Sequence, residues 1–145
     1  YGGERRTRPH RKLVADRLSA AIDSLHAVAN DPMIIITGDF NEGGDGSMAV
    51  QMRAKGMADV SADATGSHGA QGTYKYKGRW ERIDHIMASP RLARQLRSCR
   101  VCDEPFMLEE DDKYGGVQPL RTYRAWRYRR GFSDHLPLVA RFVFE

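Results

Sequence analysis

Three short polar segments lie beside apolar stretches and contain the side-chain types that phosphate-ester hydrolysis requires. They are residues 38–41 (Gly-Asp-Phe-Asn), residues 82–86 (Arg-Ile-Asp-His-Ile) and residues 133–135 (Ser-Asp-His). A carboxylate holds a divalent cation or orients a water molecule, and an amide donates to a developing phosphoryl oxyanion. An imidazole transfers a proton near neutral pH. Together the three segments indicate metal-assisted hydrolysis of a phosphate ester.

In the first segment, Asp39 and Asn41 follow a run of isoleucines and are two residues apart. Side chains at positions i and i+2 of an extended chain project to the same side, so this carboxylate and this amide should converge on one point. We expect the pair to bind a metal, orient a water molecule or contact a phosphoryl oxygen. The alternative is a strand-to-turn cap, in which both side chains only satisfy loop amides.

The third segment supplies His135, at the start of a predicted strand. An imidazole that handles protons needs a carboxylate to fix its tautomer and its orientation. Asp84 of the middle segment, on a different strand, is the candidate partner. Taken separately, Asp84 and His85 could form no more than a surface pair, and His135 could be a structural histidine. The occurrence of all three segments in one chain favours the catalytic interpretation.

The hydrophobic pattern predicts an α/β arrangement that positions these segments. Apolar residues recur at helical spacing between residues 14 and 29, with Pro9 in the first turn and a stop at residues 30–32. Residues 33–37 are continuously apolar, which is typical of a strand covered on both faces. In open α/β sheets, ligands bind at the carboxyl ends of such strands.

Shorter elements are predicted along the rest of the chain. Residues 105–132 make a long connection, of a length that is usually functional or disordered. The elements are a helix at 47–55 closed by Gly56, a loop at 62–72, a hairpin of 73–77 with 80–88, a helix at 90–96, and strands at 98–103 and 138–144.

In their order and spacing, the three segments closely resemble the endonuclease/exonuclease/phosphatase superfamily, which has the deoxyribonuclease I-like fold. The tail at residues 134–138 (Asp-His-Leu-Pro-Leu) also matches, and the resemblance extends from Pro9 onward. It implies a phosphorylated substrate, with nucleic acid among the possible classes, and hydrolysis by water without a covalent enzyme intermediate. It also implies Mg²⁺ or Mn²⁺, which would neutralise charge and supply the nucleophilic water.

The resemblance assigns a role to each matching residue. Asp39 would activate the attacking water and touch the metal, and Asn41 would stabilise the pentacoordinate phosphoryl group. His135 would contact the scissile phosphate, oriented by Asp84, and Asp134 would sit at the metal. The predicted catalytic residues are therefore Asp39, Asn41, Asp84 and His135, and the predicted metal ligands are Asp39, Asn41 and Asp134.

Residues 1–145 are predicted to form one partial domain, the C-terminal half of a four-layer α/β-sandwich with a mixed β-sheet and flanking helices. Family members carry an asparagine, the principal metal-binding glutamate and a further histidine or tyrosine in their first half, and no motif ahead of Pro9 provides them. We therefore expect this chain to bind metal weakly and to be nearly inactive alone. Its exposed sheet face should be covered by another copy, as a homo-oligomer. A non-catalytic module that binds phosphate or nucleic acid is the competing hypothesis.

Composition and charge are compatible with this assignment but do not select it. The net charge is +4, from 23 Lys and Arg against 19 Asp and Glu, which suits a phosphate-bearing partner and many other proteins. No apolar run approaches the ~18 residues of a membrane helix. Cys99 and Cys102 should point to opposite faces of a strand, where a disulfide would be strained, and we expect two small, mostly buried thiols.

One further segment, residues 121–130, interleaves five arginines with aromatic residues. This pattern suits phosphate contact combined with base stacking, with Tyr123, Arg124 and Arg127 as substrate-binding residues. It equally fits a hairpin whose arginines pair with the acidic residues 109–112. Both interpretations stay open at this stage.

Overall fold

The structure, a computed structural model, describes residues 3–144. Helices and strands alternate only in the first 60 residues, strands predominate after that, and a 3₁₀ turn covers Pro105–Met107. The helices are α1 (Gly3–Val28), α2 (Ser47–Ala54) and α3 (Pro90–Ala93). The strands are β1 (Ile35–Asp39), β2 (Ala58–Asp59), β3 (Tyr74–Tyr76), β4 (Arg79–Glu81), β5 (Asp84–Ala88), β6 (Leu96–Val101), β7 (Leu108–Glu110), β8 (Val117–Pro119), β9 (Tyr123–Arg124), β10 (Arg127–Tyr128) and β11 (Leu138–Phe142).

The α/β fold class is confirmed, and the strand pairs found within residues 3–144 are all antiparallel, where a mixed sheet was expected. Strand β5 lies between β1 and β2 in a three-stranded sheet, and β6 pairs with β11. The other pairs are β3 with β4, β7 with β8, and β9 with β10. No helix in this part of the chain has the length and apolarity needed to cross a bilayer.

Two apolar clusters support these sheets. The first packs α1 and α2 against the three-stranded sheet and contains Ile22, Met52 and Met87. The second lies under β6 and the segment that precedes β11, and it contains Val101 and Leu136. The first two polar segments are therefore carried by elements of the first cluster, and the third segment adjoins the second cluster.

Helix α1 differs from its predicted start. Pro9 lies inside the helix rather than in its first turn, because the helix already includes residues from Gly3 onward. Glutamate and arginine, which make up most of residues 4–8, have high helix propensity and extend the helix in this direction. The predicted end ahead of residues 30–32 agrees with the last helical residue, Val28.

The expectation that the isoleucine strand is covered on both faces is wrong. Ile34 is buried and Ile36 is half-buried against the first cluster, but Ile35 is 50% exposed, and Thr37 and Asp39 are also exposed. Strand β1 pairs with β5 along one edge, and no described element covers its outer face. Alternate side chains of a strand point to opposite faces, so an uncovered sheet leaves every second residue in solvent.

Two predicted elements are divided differently. Strands β3 and β4 form the expected hairpin, whose turn contains Lys77 (φ 47°) and Gly78 (φ 81°), both in the left-handed region that such turns use. The chain then leaves the hairpin, and β5 pairs with β1 and β2 instead. The long connection at 105–132 contains the pairs β7–β8 and β9–β10 rather than a structureless loop. Cys99 and Cys102 are free and half-buried.

Candidate active site

The pairing of β1 with β5 brings two of the predicted carboxylates together. Asp39, the last residue of β1, lies directly opposite Asp84, the first residue of β5. Directly opposed residues of an antiparallel pair project their side chains to the same face, with Cβ atoms about 4.5–5.5 Å apart. The end of the isoleucine strand and the middle polar segment therefore meet at one edge of the sheet.

His135 joins this edge through Asp84. Its Nδ1 lies 2.8 Å from Asp84 Oδ2, and the Thr73 hydroxyl donates to the same oxygen. The imidazole also packs on the Tyr74 ring, with centroids 4.9 Å apart. The Leu136 N–H donates to the Thr73 carbonyl at 2.7 Å, which holds the segment before β11 against β3. Asp84 and His135, 51 residues apart in sequence, thus form the predicted pair.

The proton positions on His135 follow from its partner. A carboxylate only accepts hydrogen bonds, so Nδ1–H donates to Asp84 and Nε2 is left for the cleft. The hydrogen bond to Asp84 raises the pKa of His135; burial opposes this, and the negative charges of Asp84, Asp39 and Asp134 add to the increase. His135 therefore keeps a positive charge to higher pH than a solvent-exposed histidine, which suits contact with a phosphate.

Asp84 shows the complementary effect. Burial alone would raise the pKa of Asp84, but hydrogen bonds from His135 and Thr73 and the nearby imidazole charges lower it. The carboxylate is consequently ionised at neutral pH. An ionised acceptor holds the imidazole in one orientation, so the hydrogen bond to Asp84 fixes the orientation of the His135 ring.

Asp39 and Asn41 contact each other in a tight turn. The Asn41 N–H donates to Asp39 Oδ1 at 2.7 Å, and the Asn41 side-chain amide donates to Asp39 Oδ2 at 3.1 Å. Asn41 adopts φ 53°, a left-handed conformation that asparagine accepts more readily than most residues. Between them, Phe40 is buried and its N–H donates to the Ile83 carbonyl at 2.8 Å. The capping geometry and the predicted convergence thus occur in the same turn, which leaves both side chains exposed.

His85 has a role that the sequence interpretation missed. It is 2% exposed, its Nδ1 lies 2.8 Å from Asp59 Oδ2, and its Nε2 lies 2.9 Å from the Glu42 backbone carbonyl. Both partners only accept, so both ring nitrogens carry protons and the ring is an imidazolium. Burial lowers the pKa of His85, but the hydrogen bonds to Asp59 and Glu42 and the charge of Asp59 outweigh it and raise the pKa.

This buried imidazolium fixes the turn that carries Asn41. The Glu42 side chain extends the network, because it pairs with Arg11 of α1 at 3.2 Å and accepts from the Met48 N–H at the start of α2. The turn is thereby tied to α1, α2 and β2. A sequence signal for this existed, since neighbouring residues of a strand point to opposite faces, and Asp84 facing the cleft places His85 in the interior.

The residues present supply only part of a metal site. Asp134 is exposed and forms no hydrogen bond or ion pair with another described residue, and Asp39 is exposed nearby. Oxygen donors of this kind suit Mg²⁺, which takes one or two carboxylates and several waters. Among residues 6–144, whose side chains the structure describes, no three His, Cys, Asp or Glu residues are grouped closely enough to hold a metal. The donor chemistry fits, the ligand set is incomplete, and no catalytic step is assigned to a metal.

An open cleft of about 330 Å³ adjoins this constellation and would admit a phosphoryl group. Asp84 and His135 line it together with Thr37, Gly38 and Ser133. The cleft lies where β1, β5 and the segment before β11 meet, whereas Asn41 lines a neighbouring depression. The individual catalytic and metal-binding roles stay predictions.

The arginine-rich segment forms the β9–β10 hairpin. Arg129 forms an ion pair with Glu109 at 3.0 Å, which is a contact of the kind predicted between this segment and acidic residues 109–112. Arg124, Arg127 and Tyr123 are exposed and form no ion pair with another described residue. Their assignment as substrate-binding residues stays a prediction.

Comparison with known proteins identifies a family and a fold. A model described as the endonuclease/exonuclease/phosphatase family matches residues 1–143. The structure is similar to a mannosyl-6-phosphatase from Bacteroides thetaiotaomicron, with a TM-score of 0.55 and 21% identity over 92% of this chain and 44% of that one. It is also similar to an AP endonuclease from Archaeoglobus fulgidus, with a TM-score of 0.54 and 20% identity over 91% and 54% of the two chains. A beta toxin from Staphylococcus aureus gives a TM-score of 0.53 and 19% identity over 92% and 46%.

At these identities the likeness shows the fold alone. The chain spans about half the length of the solved structures it resembles. No curated protein matches it.

Proposed function

The chain belongs to the endonuclease/exonuclease/phosphatase family, and we propose that it takes part in hydrolysing a phosphate ester with an activated water molecule. The observation that carries the proposal is the convergence of Asp39, Asp84 and His135 at one edge of the sheet, from three distant parts of the chain. Because the chain spans about half the length of similar structures, the activity of the whole protein is part of the proposal.

In the proposed reaction, His135 contacts the scissile phosphate through Nε2–H while Asp84 holds Nδ1. Asp39 orients the attacking water and accepts its proton as the water adds in line, while the ester P–O bond opposite the water breaks and the leaving oxygen takes a proton from solvent. An amide has two N–H donors, and Asn41 uses one on Asp39, so the other is available for a phosphoryl oxygen. No nucleophilic side chain of the enzyme is needed, so no covalent intermediate forms.

The proposed cofactor is Mg²⁺ or Mn²⁺, held in part by Asp39, Asn41 and Asp134. Such an ion neutralises charge on the phosphoryl group and lowers the pKa of a bound water. The remaining ligands would come from protein outside residues 6–144, in keeping with the incomplete ligand set among these described side chains. We therefore propose that the chain is one half of the catalytic domain and is nearly inactive alone.

A direct test is to express the full-length gene product and assay it with Mg²⁺ on plasmid DNA, abasic DNA, phosphoinositides and a chromogenic phosphodiester. Asp39→Ala and His135→Ala should each abolish turnover of whichever substrate is cleaved. Asp63→Ala and His26→Ala are matched controls, because both residues are exposed and lie outside the site. Turnover that survives both site substitutions would refute the proposal.

A second candidate function is a non-catalytic module that binds phosphate or nucleic acid. The observation that favours it is the incomplete ligand set among the described side chains of residues 6–144. In that case the full-length product would bind a phosphorylated ligand in a His135-dependent manner, and no phosphate would be released with any of the substrates above.

A further inference from the structure

The β9–β10 hairpin has two chemically different faces and an aromatic tip. Tyr123 lies opposite Tyr128 on one face, with ring centroids 5.5 Å apart, and Arg124 lies opposite Arg127 on the other. Neighbouring residues of a strand alternate between faces, which separates the tyrosine pair from the arginine pair. The two-residue turn carries Trp126, which is 96% exposed. Trp, Tyr and Arg, the residue types that this hairpin exposes, are the ones enriched at binding hot spots.

The arginine pair indicates a missing anion. Like charges directly opposite each other in a two-stranded ribbon destabilise it. Neither Arg124 nor Arg127 has a carboxylate partner among the described residues, whereas Arg129 pairs with Glu109. A phosphate between the two guanidinium groups would remove this repulsion, and each group can donate to it in a bidentate manner.

A cation–π contact and a ring–ring contact connect the start of the hairpin to the candidate active site. The Arg121 guanidinium, just before β9, lies 5.2 Å from the centroid of the Tyr74 ring. That ring also packs against His135. After β10, the chain runs through Phe132, whose N–H donates to the Leu120 carbonyl at 3.1 Å, directly into Ser133. A ligand with a single phosphate would occupy only one end of this path, and a polymer with repeated phosphates would contact both.

We propose that the β9–β10 hairpin binds single-stranded nucleic acid that extends from the active-site cleft. This inference rests on the proposed function, since it names the substrate class of the same site. Arg124 and Arg127 hold a backbone phosphate, and Trp126 and the tyrosine pair stack on bases, the combination that sequence-tolerant single-strand binding uses. A lipid surface is the weaker occupant: the arginines would also attract anionic headgroups, but membrane binding scales with buried apolar area and Trp126 is the one large apolar residue of the turn.

Binding is measured by the fluorescence anisotropy of a labelled oligothymidylate. Excess EDTA removes divalent metal, so that binding is observed without cleavage. A length of about 20 nucleotides exceeds the roughly 4–16 nucleotides that small single-strand binding folds cover. Trp126→Ala should weaken binding about 5- to 150-fold, the effect of removing one stacked base. Since Trp126 is at an exposed tip, its removal leaves the fold intact, which the unchanged far-UV circular dichroism should show.

Arg124→Ala with Arg127→Ala should weaken binding and reduce the slope of log K against log salt by about 0.7 for each phosphate that the protein no longer neutralises. The matched control, Arg17→Ala with Arg53→Ala, removes the same charge from exposed positions on α1 and α2 and should leave the slope unchanged. Ala125→Gly keeps every charge and ring of the hairpin and should bind normally.

Unchanged affinity and salt slope in the hairpin variants would overturn the inference. The inference would also be overturned if the protein bound anionic phosphatidylserine vesicles through the hairpin and did not bind the oligonucleotide. The chromogenic phosphodiester separates the two proposals: its hydrolysis should need His135 and be insensitive to Trp126→Ala. Loss of turnover in His135→Ala with normal oligonucleotide binding would leave the hairpin assignment standing on its own.

Discussion

The buried pair of His85 and Asp59 is the strongest test of how this site is held in place. Asp59→Asn keeps the shape of the side chain and removes the charge that balances the His85 imidazolium. The His85 and Asp59 side chains are 2% and 6% exposed, so the remaining ion cannot be hydrated without opening the structure. Breaking a buried pair by removing one partner costs about 3–5 kcal/mol.

For a chain of this size, a loss of about 3 kcal/mol corresponds to a decrease in Tm of roughly 6–12 °C. His85→Phe should be similarly destabilising, because it leaves the Asp59 carboxylate buried with only its Ser61 donors. The double variant removes both charges, so its loss of stability should fall short of the sum of the single losses by about 0.5–3 kcal/mol. Urea unfolding followed by far-UV circular dichroism measures the free energy of unfolding of the two single variants and the double variant.

The pH dependence follows from the directions of the two pKa shifts. The folded-state pKa of His85 is raised above 6.5. Its contribution to the free energy of unfolding is therefore complete below pH 6.5 and is lost as the pH rises through the folded-state pKa. Burial raises the pKa of Asp59, but hydrogen bonds from His85 and Ser61 lower it below 3.8, so that contribution is lost as the pH falls through the lowered value. Asp59→Asn should therefore destabilise the protein more at about pH 6 than at about pH 9.

The control is Lys12→Ala, which removes the exposed ion pair with Asp16 and should leave the unfolding midpoint unchanged. The reasoning is refuted if Asp59→Asn behaves like this control, or if the single losses are simply additive. Either result would mean that His85 is neutral in the folded protein and does not fix the turn that carries Asn41.

Three further outcomes are expected. Asp84→Asn should lower the pKa of His135, followed by NMR titration of the imidazole carbons, since it removes the hydrogen-bonded carboxylate; an unchanged pKa would contradict the pairing. Phe40→Ala should reduce the free energy of unfolding by about 3–5 kcal/mol, because its ring is buried, and Tyr76→Ala, at an exposed hairpin position, should have little effect. The chain should self-associate through its uncovered sheet face, and Ile35→Glu should shift it toward monomer in light scattering; a wild-type monomer at high concentration would argue against this.

Local features of this chain could be predicted because short-range chemistry decides them. The turn at Asp39 and Asn41, the hairpin around Lys77 and Gly78 and the end of α2 near Gly56 each depend on a few neighbouring residues. The residue types needed for phosphate chemistry were equally visible. The exposed outer face of β1 was not, because an apolar run has the same pattern whether or not another layer covers it.

Only the tertiary structure decided which of these side chains act together. The register of β1 against β5 sets Asp39 opposite Asp84, and the bridge between Tyr74 and His135 brings the imidazole to that carboxylate. The burial of His85 between Asp59 and the Glu42 carbonyl depends on the same packing. The physical reason is that residue order determines the chemical groups and their local turns, while strand register and cluster packing arise from contacts between residues far apart in the chain.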